Sequence, residues 1–169
     1  MSIACLPIIV EPMPEVTFIA DVMLGKLSKW LRILGFDTEY SPASGTDELV
    51  KRAAQENRQI LTRNTRLNKR TDLKSRICFI KANYPMEQVR EVIDHYKLKG
   101  VASAALTRCV ICNRKLEAIA SMMIVFKVPD YVLNTKKNFF TCPCCQRIYW
   151  RGTHYHSMQE LLRKKVFDI

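Results

Sequence analysis

Two Cys-x-x-Cys pairs, Cys109-Val-Ile-Cys112 and Cys142-Pro-Cys-Cys145, stand about thirty residues apart. Each pair can close a tight turn that offers two thiolates, and four thiolates satisfy Zn²⁺ tetrahedrally at about 2.3 Å. A site filled by four cysteines leaves no open position, so the expected zinc is structural. The paired spacing argues against four unrelated reduced thiols. The second pair contains an alternative in Cys144. Cys145 is the better ligand, because two intervening residues let both sulfurs face one ion. The segment between the pairs can form a small antiparallel ribbon. Cys5 and Cys78 read as free thiols.

The ribbon occupies roughly the last third of the 169 residues and leaves about one hundred for a separate core. The apolar fraction of 48% is ample for that core. Seven cysteines, four of them in zinc spacing, point to a reducing compartment, the cytoplasm, and away from a disulfide scaffold. Met1 to Pro14 is apolar, holds three prolines and has no basic residue. It lacks the charged start of a signal peptide and is far too short to span a bilayer. The expected division is an arm over 1–14, an α/β domain over 15–100, and a zinc ribbon with a C-terminal helix over 101–169.

Within the α/β portion, apolar strands alternate with helical periodicity. Strands are expected at Val16–Ala20, Asp37–Tyr40, Gln59–Thr62 and Ile77–Ile80. Leu24, Leu27, Leu31 and Leu34 recur at helical spacing, and Gly35 stops that helix. Thr46 is placed to cap a helix from Asp47 to about Asn57. A short basic helix or turn follows over Arg66–Leu73, and a helix from Pro85 to about Lys99. Such alternation implies crossover connections, a mainly parallel sheet and a doubly wound, three-layer domain. Residues 100–107 read as the linker. Beyond the second cysteine pair, Arg147–Trp150 resembles a strand and His154–Lys165 a closing helix.

Lysine and arginine outnumber aspartate and glutamate by 27 to 16, a net charge of +11. Nine of the basic residues fall between Lys51 and Arg76, against Glu56 and Asp72 alone. Such a run creates a positive field that attracts polyanions, nucleic acid first among them. A solvated surface that keeps the protein soluble is the plainer reading.

In an open parallel sheet, ligands bind beyond the carboxyl ends of the strands. Three of the expected strands end in short polar residues, Asp21, Asn64 and Asn83. Asp47 and Glu48 open the helix that precedes the third strand. Oxygens converging there would suit Mg²⁺ or Mn²⁺, and a hydrated divalent ion can activate water against a phosphate. Lys26, Lys29, Arg63, Arg66 and Arg70 could hold the nucleic-acid backbone. Each residue also has a plainer role. Asp21 can cap a helix, Asp47 and Glu48 complement a helix dipole, and Asn64 and Asn83 are common turn residues. Tyr149, Trp150, His154, Tyr155 and His156 form an aromatic cluster after the cysteines, suited to ribbon packing or to base stacking.

Phe18-Ile-Ala-Asp-Val-Met-Leu-Gly-Lys-Leu-Ser-Lys-Trp-Leu-Arg-Ile-Leu-Gly-Phe-Asp-Thr38 resembles the opening of the Mut-seven C-terminal RNase domain. Asp47-Glu-Leu49, Ile60-Leu-Thr-Arg63, the two cysteine pairs, Arg147-Ile-Tyr-Trp150 and Gly152-Thr-His154 extend the resemblance to about residue 160. It implies a PIN-like α/β domain with a zinc ribbon, an acidic metal site and RNA as substrate. Asp21 carries over as the first acid, and Asp47 or Glu48 as the second. Asn64 stands where the pattern usually has aspartate, Asn83 where an acid is common, and Gln146 where glycine is usual. Two amides in place of two carboxylates weaken the hold on a divalent cation. The expectation is a ribonuclease with a diluted metal site, or an RNA-binding component that has lost cleavage.

Overall fold

The computed structural model describes residues 16–43, 45–98 and 107–167. The expected N-terminal arm, Cys5, Gly100 and most of the expected linker lie outside those residues.

Four short strands, β1 (Phe18–Ala20), β2 (Thr38–Tyr40), β3 (Gln59–Thr62) and β4 (Ile77–Phe79), form a parallel sheet in the order β2-β1-β3-β4. The pleat sends alternate side chains to opposite faces. Phe18, Ala20 and Leu61 enter one core, where they meet Leu24, Leu27 and Leu31 of the first helical segment and Val89, Val92 and Ile93 of the fourth helix. Ile19 and Ile60 point the other way and pack against Leu49, Ala53 and Leu67. Helices on both faces of one sheet make the three-layer α/β architecture.

The first crossover begins with a 3₁₀ turn at Val22–Leu24 and runs into α1 (Gly25–Ile33). Gly35 ends it with φ 93°, a left-handed conformation that an L side chain adopts only at a cost. α2 spans Thr46–Gln55, so Thr46 is its first residue and not its cap; Gly45 holds the cap position without a side-chain bond. α3 is a single turn, Thr65–Asn68, followed by a 3₁₀ turn at Thr71–Leu73. α4 spans Pro85–His95. It stops before the expected Lys99, because Lys97 turns left-handed (φ 55°) and drives Leu98 back into the core.

The C-terminal portion is a three-stranded antiparallel sheet of β5 (Glu117–Ile119), β6 (Phe139–Thr141) and β7 (Ile148–Trp150). Between β5 and β6 lie a 3₁₀ turn at Ser121–Ile124 and α5 (Asp130–Thr135), neither of which the sequence reading anticipated. Ile124, Val128, Val132 and Phe139 form a small core of their own. The chain then enters α6 (Thr153–Leu162) and a π-helical turn, Arg163–Phe167. Sequence grouped this last helix with the ribbon, yet Leu162 and Val166 are buried in the α/β core beside α4.

Candidate active site and metal centre

The strand order reverses between β1 and β3. β1 leads to β2 on one side, and the chain crosses back through α2 to β3 on the other. A crevice at the carboxyl ends of these two strands is where an open α/β sheet accepts a ligand. Asp21 follows β1 directly and is 8% exposed. Its Oδ1 accepts from the Val22 amide at 2.7 Å, and its Oδ2 accepts from the buried Thr62 hydroxyl at 2.7 Å. The same hydroxyl accepts from the Asn64 amide at 2.9 Å. Thr62 therefore links the ends of β1 and β3 and fixes the rotamer of the acid. A cleft of about 460 Å³ opens beside Asp21, walled by Met23, Gly45, Thr46, Arg63, Asn64 and Thr65.

The other expected site residues are placed differently. Asn64 caps α3, and its Oδ1 accepts from the Arg66 amide at 2.9 Å. Asn83 is exposed, and its Oδ1 accepts from Arg63 at 2.7 Å. Arg63 also donates to the Ala82 carbonyl at 2.6 Å, so its guanidinium ties the end of β3 to the loop after β4. Asp47 and Glu48 are exposed on the first turn of α2, just past the Gly45–Thr46 wall of the cleft. Among the described residues, no three carboxylates come together as ligands. The single such group of histidine, cysteine or acidic side chains is the four cysteines.

The basic residues divide as well. Lys26 and Lys29 are exposed on α1, and Arg66 is exposed on α3. Arg70 is engaged with Asp72 at 2.6 Å. Arg58 binds Asp37 and Glu56, and Arg76 donates to Ala53 and Asn57. The charge run from Lys51 to Arg76 is therefore partly a set of internal staples.

Cys109, Cys112, Cys142 and Cys145 bring their sulfurs within 4.8 Å of one another. The Cys109–Cys145 and Cys112–Cys142 separations are 3.5 and 3.2 Å. A tetrahedron with ligands at about 2.3 Å has edges of about 3.8 Å, so the gathering fits one zinc ion. Both knuckles fold by the same bonds. The first cysteine's amide donates to the carbonyl five residues on, at 2.8 Å (Cys109) and 3.0 Å (Cys142). Its carbonyl accepts from the residue after the second cysteine, Asn113 or Gln146, at 2.9 Å in each case. Asn113 and Gln146 both sit left-handed, with φ 66° and 56°. Cys144 is exposed and outside the group, so the sulfur that gathers with the other three is that of Cys145. Burial acts to raise the Cys109 thiol, but the Tyr149 hydroxyl and the turn's amides outweigh it and hold the group down to about 6. Burial and the neighbouring thiol push the Tyr149 phenol up, so it stays the donor across their 3.1 Å contact. Cys78 is inert by contrast, pushed up to about 12 by burial and by Glu91.

The first knuckle is bolted to the edge of the parallel sheet. Arg32, buried in α1, donates to the carbonyls of Thr38, Val110 and Ile111 at 2.8, 3.0 and 2.7 Å. Asn113 accepts from the Thr38 amide at 3.0 Å and donates to Asp37 at 2.8 Å. Arg108 pairs with Asp37 at 3.2 Å. Sequence reading missed Thr62, Arg32 and Asn113. Thr62 carries no signal of its own in the sequence, since threonine is ordinary in strands. Comparison with curated proteins and with solved structures returned no match. The family model described as the Mut7-C RNAse domain matches residues 16–162, most of the chain, and the protein belongs to that family.

Proposed function

We propose that this chain is a metal-dependent ribonuclease whose acidic site is reduced to one buried carboxylate completed by a second acid and by the substrate. The observation that carries this is Asp21, held at the switch point of the sheet by Thr62 and facing an open cleft. Mg²⁺ is commonly bound through one or two carboxylates plus substrate phosphates. In that arrangement Asp21 would be the fixed ligand, and Asp47 or Glu48, exposed on the first turn of α2, would be the second. They do not fit a preformed multi-acid cage. A divalent ion there would supply a water of lowered pKa and offset charge developing on the phosphate. Thr62 keeps Asp21 oriented. Asn64 and Arg63 shape the opposite wall, and the exposed cations Lys26, Lys29 and Arg66 favour a polyanion; Arg63, half-buried and bonded to Ala82 and Asn83, and Arg70, paired with Asp72, have less charge to offer. In this reading residues 15–100 carry the site and 101–169 brace it, in a compartment where thiols stay reduced, the cytoplasm. No helix among the described residues is long and apolar enough to cross a membrane.

A second reading, RNA binding without cleavage, is favoured by Asn64. Its oxygen is already committed to capping α3, and an amide adds no charge to the cleft.

One assay separates the two. Labelled single-stranded RNA is incubated with Mn²⁺ or Mg²⁺ and the wild-type chain, Asp21→Asn, Asn64→Asp or the Asn64→Asp/Asn83→Asp pair. Slow cleavage by the wild type, reduced by about tenfold to a hundredfold or more in Asp21→Asn and increased by the restored acids, supports the nuclease. Aspartate caps helices as well as asparagine, so Asn64→Asp leaves α3 intact. No cleavage by any variant, with salt-sensitive RNA binding retained, overturns it in favour of the second reading.

A further inference from the structure

We propose that the cleft between α1, β7 and α6 is a stacking site for unpaired nucleobases, so that the chain takes single-stranded RNA in preference to duplex. This rests on RNA being the partner, as argued above, but not on cleavage.

The cleft measures about 560 Å³ and is walled by aromatic rings: Trp30 from α1, Tyr131 from α5, Tyr149 and Trp150 from β7, and Tyr155 from α6. Its size falls in the range of about 300–1,000 Å³ that small ligands occupy. Lys26 and Lys29 stand on its rim, exposed and without an acidic partner among the described residues. Lys26, Lys29 and Trp30 lie on one side of α1 by their three- and four-residue spacing. Two cations beside a set of rings match a phosphate backbone with its bases turned out. A purely apolar partner would leave both lysines without a counter-charge.

Ribbon packing accounts for only part of this wall. Trp150 leans on the small core and the Tyr149 hydroxyl serves Cys109. Tyr131, however, is 70% exposed at the cleft and packs into neither core. Gly152 keeps the Trp150 ring in place, since a Cβ there would stand 2.9 Å from the indole nitrogen.

The cleft also connects to the Asp21 site. Lys26 and Lys29 line a second depression with Met23, Asn83 and Tyr84, and Met23 in turn lines the Asp21 cleft. Met23 and Tyr84 are 63% and 70% exposed. Shared walls along α1 thus join the aromatic cleft to the carboxylate by a track that is cationic and flanked by exposed apolar side chains. Bases buried within an A-form duplex cannot enter such a track, whereas the splayed bases of a single strand can.

The chain's two tryptophans, Trp30 and Trp150, both line this cleft, so tryptophan emission reports its occupancy. The zinc-loaded full chain, without added Mg²⁺ or Mn²⁺, is titrated with a short oligoadenylate, the same strand in a perfect duplex, and an abasic ribose-phosphate oligomer of equal length. Anisotropy of a label on each oligomer measures binding in parallel. The expected result is quenching by the single strand alone and an affinity at least about tenfold above the abasic oligomer, which has no base to stack. Tyr131→Ala and Tyr155→Ala each weaken single-strand binding by about fivefold or more, with abasic binding and zinc content unchanged. Gly152→Ala, which displaces the Trp150 ring, weakens it too. Equal binding of all three oligomers without quenching overturns the stacking site and leaves RNA as the partner. Binding of none of them overturns both.

Discussion

At the scale of single residues, the site depends on a hydroxyl. Thr62 is fully buried, donates to Asp21 and accepts from the Asn64 amide. Thr62→Val keeps the shape but leaves a buried carboxylate oxygen and a backbone N–H without partners. The expected cost is about 2 kcal/mol of stability, together with a loss of metal-dependent cleavage beyond that of equally destabilised variants elsewhere. Thr62→Ser, which restores the hydroxyl, recovers both. Urea denaturation and the RNA cleavage assay check this, and a valine variant as active as wild type would remove Thr62 from the site. Asp21 was legible as a candidate because an acid ends an apolar strand where an open sheet accepts ligands; its plainer role as a cap is present too, since it accepts from the Val22 amide. Thr62 was not, since threonine is ordinary in strands and its partner lies 41 residues away. Asn64 and Asn83 were legible as departures, but their bonds to Arg66 and Arg63 were visible only in the fold.

At the scale of elements, α1 has three duties on three sides. Leu27 and Leu31 fill the core, Lys26 and Lys29 face solvent, and Arg32 reaches across to the first cysteine knuckle. Helical periodicity exposed the apolar stripe but gave no sign that Arg32, a cation off that stripe, would be buried. It is 4% exposed. Arg32→Met leaves the carbonyls of Thr38, Val110 and Ile111 without their donor. The expected loss is at least about 3 kcal/mol, with faster zinc transfer to a chromogenic chelator; unchanged transfer would show that Arg32 does not steady the knuckle. The strand edge adds a pH dependence. Burial acts to raise Asp37, but bonds from Arg58 and Asn113 and the charges of Arg58 and Arg108 outweigh it and hold it below its ordinary 3.8. A depressed folded value gives stability that is complete above the unfolded value and lost as pH falls through the folded one. The stability gap between wild type and Asp37→Asn is therefore largest near neutrality and narrows below about pH 3.8. A gap in urea midpoint that stays constant down to pH 3 would contradict the assignment. Most strands and helices of the parallel sheet were legible from alternation and capping. The 3₁₀ turn at Ser121–Ile124 and α5 were not, because a short apolar stretch carries no readable period.

At the scale of the whole molecule, buried polar contacts join the cysteine cluster to the edge of the parallel sheet, a junction the sequence reading described only as a linker. The cysteine spacing made the metal centre legible without the fold. Its attachment was illegible, because it rests on polar contacts between residues some 75 positions apart, such as Asn113 with the Thr38 amide. Metal removal should therefore be felt beyond the ribbon. In a knuckle without its ion, the turns that present Asn113 and the Val110 and Ile111 carbonyls lose their anchor. β2 is the edge strand, and its Thr38 amide donates outward to Asn113. The Ile60 amide in the interior strand β3 donates instead to the Arg76 carbonyl within the sheet layer. Chelation should raise hydrogen exchange at Thr38 strongly while Ile60 keeps most of its protection, and readdition of zinc should restore Thr38. If Thr38 stays protected after the metal is gone, the ribbon is only tethered to the sheet and the cleft shared by α1 and β7 has no common frame. If both amides lose protection together, the ion holds the entire α/β core and not its edge alone.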